Sequence, residues 1–247
     1  MSTPNVIKSL QHPLVKHLVK VRTNKRYRAE QGRLVISSGT VVREIARHTP
    51  IRTLLLPHDQ EVYSGFTPEK IYHVSPEILK KVSGLATPTD CIAEVDFPEP
   101  SNLGDCSRLL VLDRLADPGN VGTLARTALA LGWDGLFITD QTADPFNDKA
   151  VRASRGAVLI LPLRQGSAAE LQDLLASGFE TFIADTDGTP VKSVTPPQKL
   201  ALVLSSEAHG PDKAIARLGE RVTVPMPGEM ESLNVAIAGG ILTFCLC

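Results

Sequence analysis

Three short segments carry the side chains whose types and spacing could do chemistry. In the first, residues 113–132, Asn120, Gly122 and Arg126 open a helical pattern that follows an apolar run. Gly119 and Gly122 let backbone approach a ligand, and Asn120 can both donate and accept hydrogen bonds. Arg126 stands beside small residues, within reach of a phosphate or a reacting hydroxyl; taken alone it reads first as a surface helix arginine. In the second, Leu200-Ala-Leu-Val-Leu-Ser-Ser-Glu-Ala-His-Gly-Pro211, Glu207 falls where sheet strands end. Alone, it reads equally well as a cap for a following helix. In the third, residues 222–244, a β-branched run ends at Pro225, and Ser232 and Asn234 open a helix of Ala, Gly and aliphatic residues. Strand, turn and helix start in that order bring unpaired N–H groups and the positive end of a helix to one place.

Several standard chemistries are unsupported. The glycines of the first segment do not follow GxGxxG and no P-loop occurs. Ser205 and Ser206 lack a GxSxG elbow. Five of the six histidines precede residue 74 without ligand spacing, and Cys91, Cys106, Cys245 and Cys247 form no CxxC pair. No metal site is therefore expected, and a reducing compartment suits the thiols.

The elements that must position these residues follow from the apolar pattern. From residue 109 onward, strands are expected at 109–113, 135–139, 158–161, 181–184, 200–204 and 222–224. Helices are expected at 120–131, 149–155, 168–176, 211–218 and 232–244. Such alternation reads as a mostly parallel sheet covered on both faces. Residues 1–95 read as a smaller α/β unit, with helices at 13–30, 41–47 and 76–82 and strands at 34–36, 51–56 and 71–74. Residues 86–105 are rich in Thr, Pro, Asp and Glu and read as the connection. The resulting division is 1–95, a linker at 96–107, and 108–247.

The 247 residues suffice for one large domain or two modest ones, and 43% hydrophobic with 21% charged composition is ordinary for a globular chain. No apolar run has transmembrane length and no apolar signal core opens the chain, so no membrane role is expected. The net charge of −1 is uneven: residues 1–95 carry +6 and the remainder −7. Lys16, Lys20, Arg22, Lys25, Arg26 and Arg28 cluster between Lys8 and Arg33, an electrostatic footprint for polyanions that a solvated helix face would also explain.

Together the segments resemble the SpoU family of RNA ribose 2′-O-methyltransferases, within the knotted SPOUT superfamily. Asn120, Gly122 and Arg126 match its first motif. Ser205, Glu207 and Gly210 match its second, and Val224-Pro225-Met226, Gly228 and Ser232-Leu233-Asn234 its third. Lys149-Ala-Val-Arg-Ala-Ser-Arg-Gly-Ala157 is similar to a further family segment. Ile7, Ser9, His12-Pro13 and Val15-Lys16, then Arg26-Tyr27-Arg28 and Gly32, resemble the L30e-like RNA-binding domain that often precedes the catalytic one. Ser205 and Ala208 stand where the family usually carries glycine, and Ser37-Ser38-Gly39 where it commonly shows Glu-Gly.

The resemblance implies a trefoil-knotted, mostly parallel α/β domain behind the L30e-like one. It implies S-adenosylmethionine held by Leu204, Ser205, Gly210, Val224, Met226 and Leu233, with Thr186 and Gly188 nearby. Arg126 is the family's principal catalytic residue, with Asn120, Glu207, Ser232 and Asn234 fixing its geometry and the target nucleotide's. A guanidinium with a pKa of about 12.5–13.8 is a poor proton acceptor, so orientation of a phosphate and stabilisation of an alkoxide suit it better. Lys16, Lys20, Arg22, Lys25, Arg26, Arg28 and Arg152 would contact RNA, ribosomal rather than transfer RNA in the first instance. A homodimer through the knotted domain follows, in bacterial cytoplasm or an organelle. The alternatives are a non-catalytic RNA-binding protein on this fold, or a tRNA methyltransferase.

Overall fold

The computed structural model describes residues 5–87, 89–206 and 210–247. The chain divides into two compact units: Met1–Glu99 with Phe146–Ile160, and Pro100–Pro145 with Leu161–Cys247. The stretch 146–160, expected within the second domain, thus packs with the first.

The first unit is a five-stranded mixed sheet. Its strands are β1 (Asn5–Ile7), β2 (Arg33–Ile36), β3 (Ile51–Pro57), β4 (Lys70–Val74) and β5 (Ile92–Asp96). Their order is β1-β4-β3-β5-β2. β1, β4 and β3 run parallel, while β5 is antiparallel to both β2 and β3. β5 corrects the reading of 86–105 as connection. Cys91, Ile92, Ala93 and Val95 are fully buried, and the prolines at 98 and 100 lie beyond the strand instead of interrupting it.

The helix expected over 13–30 is two helices, α1 (Pro13–Thr23) and α2 (Lys25–Gln31). Asn24 is extended between them, and its side chain accepts from the Tyr27 N–H as a helix cap. α3 (Gly39–Ile45) and α4 (Pro76–Ser83) complete this part. Val15, Leu18 and Val21 of α1, spaced for one helix face, pack with Val35, Leu55, Val74, Ile78, Val82 and Ile92 in the core.

The second unit is built on β6 (Arg108–Asp113), α5 (Pro118–Ala130) and β7 (Gly135–Thr139). After α6 (Asp148–Ala153), which belongs to the first unit, come β8 (Leu163–Gly166), α7 (Ala168–Leu175), β9 (Glu180–Pro190), β10 (Leu200–Ser205), β11 (Glu220–Thr223) and α8 (Val235–Cys245). All six strands pair parallel in the order β11-β9-β10-β6-β7-β8. Leu109–Leu112 and Leu200–Leu204 are completely buried, the continuous apolar run that a sheet covered on both faces requires. Val111, Phe137, Ile183 and Val203 meet Leu171 and Leu175 of α7 on one face, and α8 packs against β10 and α5.

Two expected elements differ. Residues 158–161 are not a strand: Gly156 adopts φ +85° and starts a 3-10 turn at Ala157–Leu159, and the strand forms past Pro162 as β8. The helix expected at 211–218 is reduced to one 3-10 turn, Ile215–Arg217.

Candidate active site

A cleft opens where β9, β10 and β11 end and the segment leading into α8 crosses them. Seven of the eight residues named above for a cofactor or its surroundings border it: Thr186, Leu204, Ser205, Gly210, Val224, Met226 and Leu233. The reason is topological. β9, β10 and β11 run parallel, so their carboxyl ends and the loops that follow converge on one edge of the sheet. Leu204, Val235 and Leu242 supply apolar wall, and Ser205, Ser206, Ser232 and Asp185 supply polar groups.

Asp185 was missed in the sequence. It follows the apolar half of β9 directly, just past the residues that pair with β10, and the end of that apolar run was the available signal. Its carboxylate accepts from the Asp187 N–H and lies 3.4 Å from Arg221. Gly188, expected near the cofactor, does not border the cleft. A Cβ there would stand 2.7 Å from the Arg221 backbone, so the glycine serves the bulged pairing of β9 with β11.

The loop after β10 is closed by a backbone bond from the Gly210 N–H to the Ser206 carbonyl, 2.8 Å, with Gly210 at φ +62°. Glu207, Ala208 and His209 lie outside the described residues. The loop's far side is fastened by Asp113, also missed. This carboxylate, 1% exposed, accepts from the Thr139 hydroxyl and from the Asp212 N–H, both at 2.8 Å. It sits level with Ser205 across the β6–β10 ladder, so one buried carboxyl group ties the end of β6 to the loop that follows β10.

The remaining candidates surround α5 and α8. Asp117, not Asn120, caps α5, by accepting from the Gly119 N–H; Pro118 then starts the helix two residues ahead of Asn120. Arg126 is exposed on α5 and, among the described residues, makes no hydrogen bond or ion pair. Neither Arg126 nor Asn120 borders the cleft. Asn234 caps α8 by accepting from the Ala236 N–H at 2.9 Å. Ser232 lies ahead of the helix and borders the cleft. α5 packs along α8, and the contact depends on Gly239, where a Cβ would stand 2.5 Å from both Leu124 Cδ2 and Leu204 Cδ1.

The basic residues of the first unit separate into kinds. Lys16, Lys20, Lys25 and Arg26 are exposed; Lys20 lies over the Tyr27 ring at 4.0 Å and Arg26 pairs with Glu30. Arg28 is 3% exposed and donates to the carbonyls of Val21 and Arg22, so it braces the α1–α2 turn and does not face a polyanion. Arg22 and Arg152 are half-buried.

A parallel α/β sheet with a ligand cleft at its carboxyl edge, closed by a capped C-terminal helix, defines a class of ligand-binding enzymes. The comparisons narrow it. The sequence model of the SpoU rRNA Methylase family matches residues 107–244, and the chain belongs to that family. The 23S rRNA (guanosine(2553)-2′-O)-methyltransferase RlmP of Bacillus subtilis is 30% identical over 97% of this chain and 98% of its own. The 23S rRNA (uridine(2479)-2′-O)-methyltransferase of Streptomyces viridochromogenes is 28% identical over 90% of this chain and 84% of its own. The AdoMet-bound rRNA methyltransferase from Sinorhizobium meliloti superposes with a TM-score of 0.85 at 26% identity, covering 98% of this chain and 97% of that one.

Proposed function

We propose that this chain transfers a methyl group from S-adenosylmethionine to a ribose 2′-hydroxyl of structured RNA, ribosomal RNA in the first instance. The carrying observation is that seven of the eight residues expected at or near the cofactor border one cleft, in a chain aligned over most of its length with two ribosomal RNA 2′-O-methyltransferases. The cleft suits a nucleoside with an aliphatic tail. Leu204, Leu233 and Leu242 give apolar surface, Asp185 can accept from ribose hydroxyls, and Gly210 leaves space, no atom of the described residues lying within 4 Å of where its Cβ would be.

The bound donor supplies an activated methyl on sulfur. The chain's own task is to bring an RNA hydroxyl in line with it and to favour loss of the hydroxyl proton. Arg126, exposed and uncommitted among the described residues, orients the neighbouring phosphate and stabilises the developing alkoxide. Asn120, Ser232 and Asn234 fix its surroundings, and Glu207 completes the set. The finer architecture proposed with this function is a trefoil knot, an L30e-like first unit and a homodimer. A thin C-terminal helix fitted between α5 and β10 supports the knot.

The test is transfer of labelled methyl to ribosomal RNA, with nucleoside mass spectrometry to locate the mark. A ribose mark is expected. Arg126→Ala should cut kcat by about a hundredfold or more, the scale of a lost transition-state donor, with the affinity for S-adenosylmethionine unchanged in calorimetry. Full activity in that variant removes Arg126 from the mechanism. An absence of donor binding in the parent protein leaves only an RNA-binding scaffold.

A further inference from the structure

One segment of the second unit leaves its sheet at the cleft. Arg221 and Val222 are consecutive on β11, yet they pair with Ile183 and Thr189 of β9. The pairing of β9 with β10 ends at Ile183. Residues 184–188 therefore bulge out of both ladders, and Ala184, Asp185 and Thr186 among them border the cleft. The bulge is fastened at several points. At Gly188 a Cβ would stand 2.7–2.9 Å from the backbone of Arg221 and Val222, so the absence of a side chain lets the strands close there. Thr223 donates from Oγ1 to the Thr186 carbonyl at 3.3 Å, and the Asp187 N–H donates to Asp185 Oδ1 at 3.2 Å. Arg221 Nη1 stands 3.4 Å from Asp185 Oδ2.

Among the described residues, Asp185 is the one charged side chain that borders the cleft. A carboxylate offers about four lone-pair sites on its two oxygens. Here one neighbour approaches each oxygen, Asp187 on Oδ1 and Arg221 on Oδ2. Each oxygen thus keeps accepting capacity, and the two neighbours fix the direction of the group. Two adjacent acceptors match two adjacent hydroxyls, the vicinal pair of a ribose. A cationic ligand group at the same place would meet Arg221, whereas a hydroxyl brings no charge to repel. The position agrees as well, since the ends of parallel strands are where an acidic side chain meets the ribose of a bound nucleotide.

We propose that Asp185 is the ribose ligand of the methyl donor, accepting from its 2′- and 3′-hydroxyls with one oxygen each, and that the 184–188 bulge is the cradle that presents it. The inference rests on the reading of S-adenosylmethionine as donor and gives that site a specificity. A nucleoside lacking either hydroxyl leaves a fixed acceptor unpaired, which a site built on hydrogen bonds rejects.

The test is calorimetry of the full chain with S-adenosylmethionine, with S-adenosylhomocysteine, and with the 2′-deoxy and 3′-deoxy forms of the latter. The parent should bind S-adenosylhomocysteine about tenfold or more tightly than either deoxy form. Asp185→Ala should weaken donor and product equally, by about ten- to a hundredfold, the scale of hydrogen bonds to a charged group. It should also abolish the preference for the ribose form, because hydroxyl and carboxylate serve one contact and their losses do not add. Asp185→Asn, closest in shape, should show a reduced preference and reads the contact even where the alanine variant melts early. Arg221→Gln should keep the preference and lose part of the affinity, since it leaves both acceptors and removes only their orientation.

Unchanged nucleoside affinity in folded Asp185→Ala and Asp185→Asn would overturn the proposal. So would a loss confined to S-adenosylmethionine, which would make Asp185 a partner of the sulfonium charge. A loss that leaves the ribose preference intact would move the contact to another part of the ligand and end the assignment equally. A parent that binds neither donor nor product overturns the functional reading together with this one. A parent that binds both but accepts the deoxy forms as well as the ribose form sinks the Asp185 contact alone.

Discussion

Asp113 places a carboxyl group at a position 1% exposed, and its two hydrogen-bond partners explain why that polar group is tolerated. Thr139 and the Asp212 amide each donate to a different carboxylate oxygen, and hydrogen bonds to a buried charge contribute about 1.5–3 kcal/mol. One of these donors belongs to the loop that places Gly210 and Pro211 at the cleft. Asp113 is therefore a positioning residue that reaches the ligand through the loop backbone. Asp113→Ala should strand both donors, lower the melting temperature and weaken S-adenosylmethionine about tenfold or more, a change of about 1.4 kcal/mol or larger. Asp113→Asn keeps one acceptor oxygen and should recover part of the affinity. Calorimetry and thermal melts read the two effects separately. A lower melting temperature with unchanged donor affinity would reduce Asp113 to a structural anchor.

At the scale of elements, α8 shows how composition becomes geometry. Gly239 is the point where it touches α5 and β10, with a Cβ position 2.5 Å from leucine methyls on each side. Gly239→Val would force both leucines from their rotamers, and overpacking of this kind costs about 1–3 kcal/mol. The expected result is a clear fall in melting temperature with reduced donor affinity, because Leu204 also walls the cleft. Gly240→Ala, whose Cβ would meet, among the described residues, only Thr127 Cγ2 at 3.9 Å, should be near neutral and serves as the control. The thinness of α8, its capping Asn234 and the cleft residues flanking it were legible in the sequence. They sit in runs whose type is set locally, by strand burial and a helix start. What was not legible depended on distant partners. β5 hides among prolines because its burial comes from β2 and β3 on either side. Asp113 reads as the polar end of a strand until Asp212, far along the chain, docks on it. The single expected helix at 13–30 breaks at Asn24 because a side-chain cap competes with the helical backbone there.

At the scale of the whole molecule, the feature left over is an apolar stripe on the outside of α8. Ile237, Ile241 and Phe244, spaced i, i+4 and i+7, are 57%, 37% and 69% exposed. Such a stripe on a helix whose other side is buried supports the proposal that a second copy covers it. Fully burying an isoleucine or phenylalanine from water yields about 1.5–3 kcal/mol each, and these three are already partly covered. Association itself costs about 4–15 kcal/mol in lost freedom. The stripe alone therefore falls near break-even, and a dimer built on it must add surrounding surface and has no margin to lose the stripe's two most exposed residues. Ile237→Glu with Phe244→Glu should accordingly convert a dimer to a monomer in sedimentation equilibrium, not merely weaken it by degrees. The parent's melting temperature should rise with protein concentration, as binding between native chains requires, and that of the double variant should not. A parent that sediments as a monomer throughout, or a double variant that remains dimeric, would remove α8 from the interface and leave the stripe as surface that this fold simply tolerates.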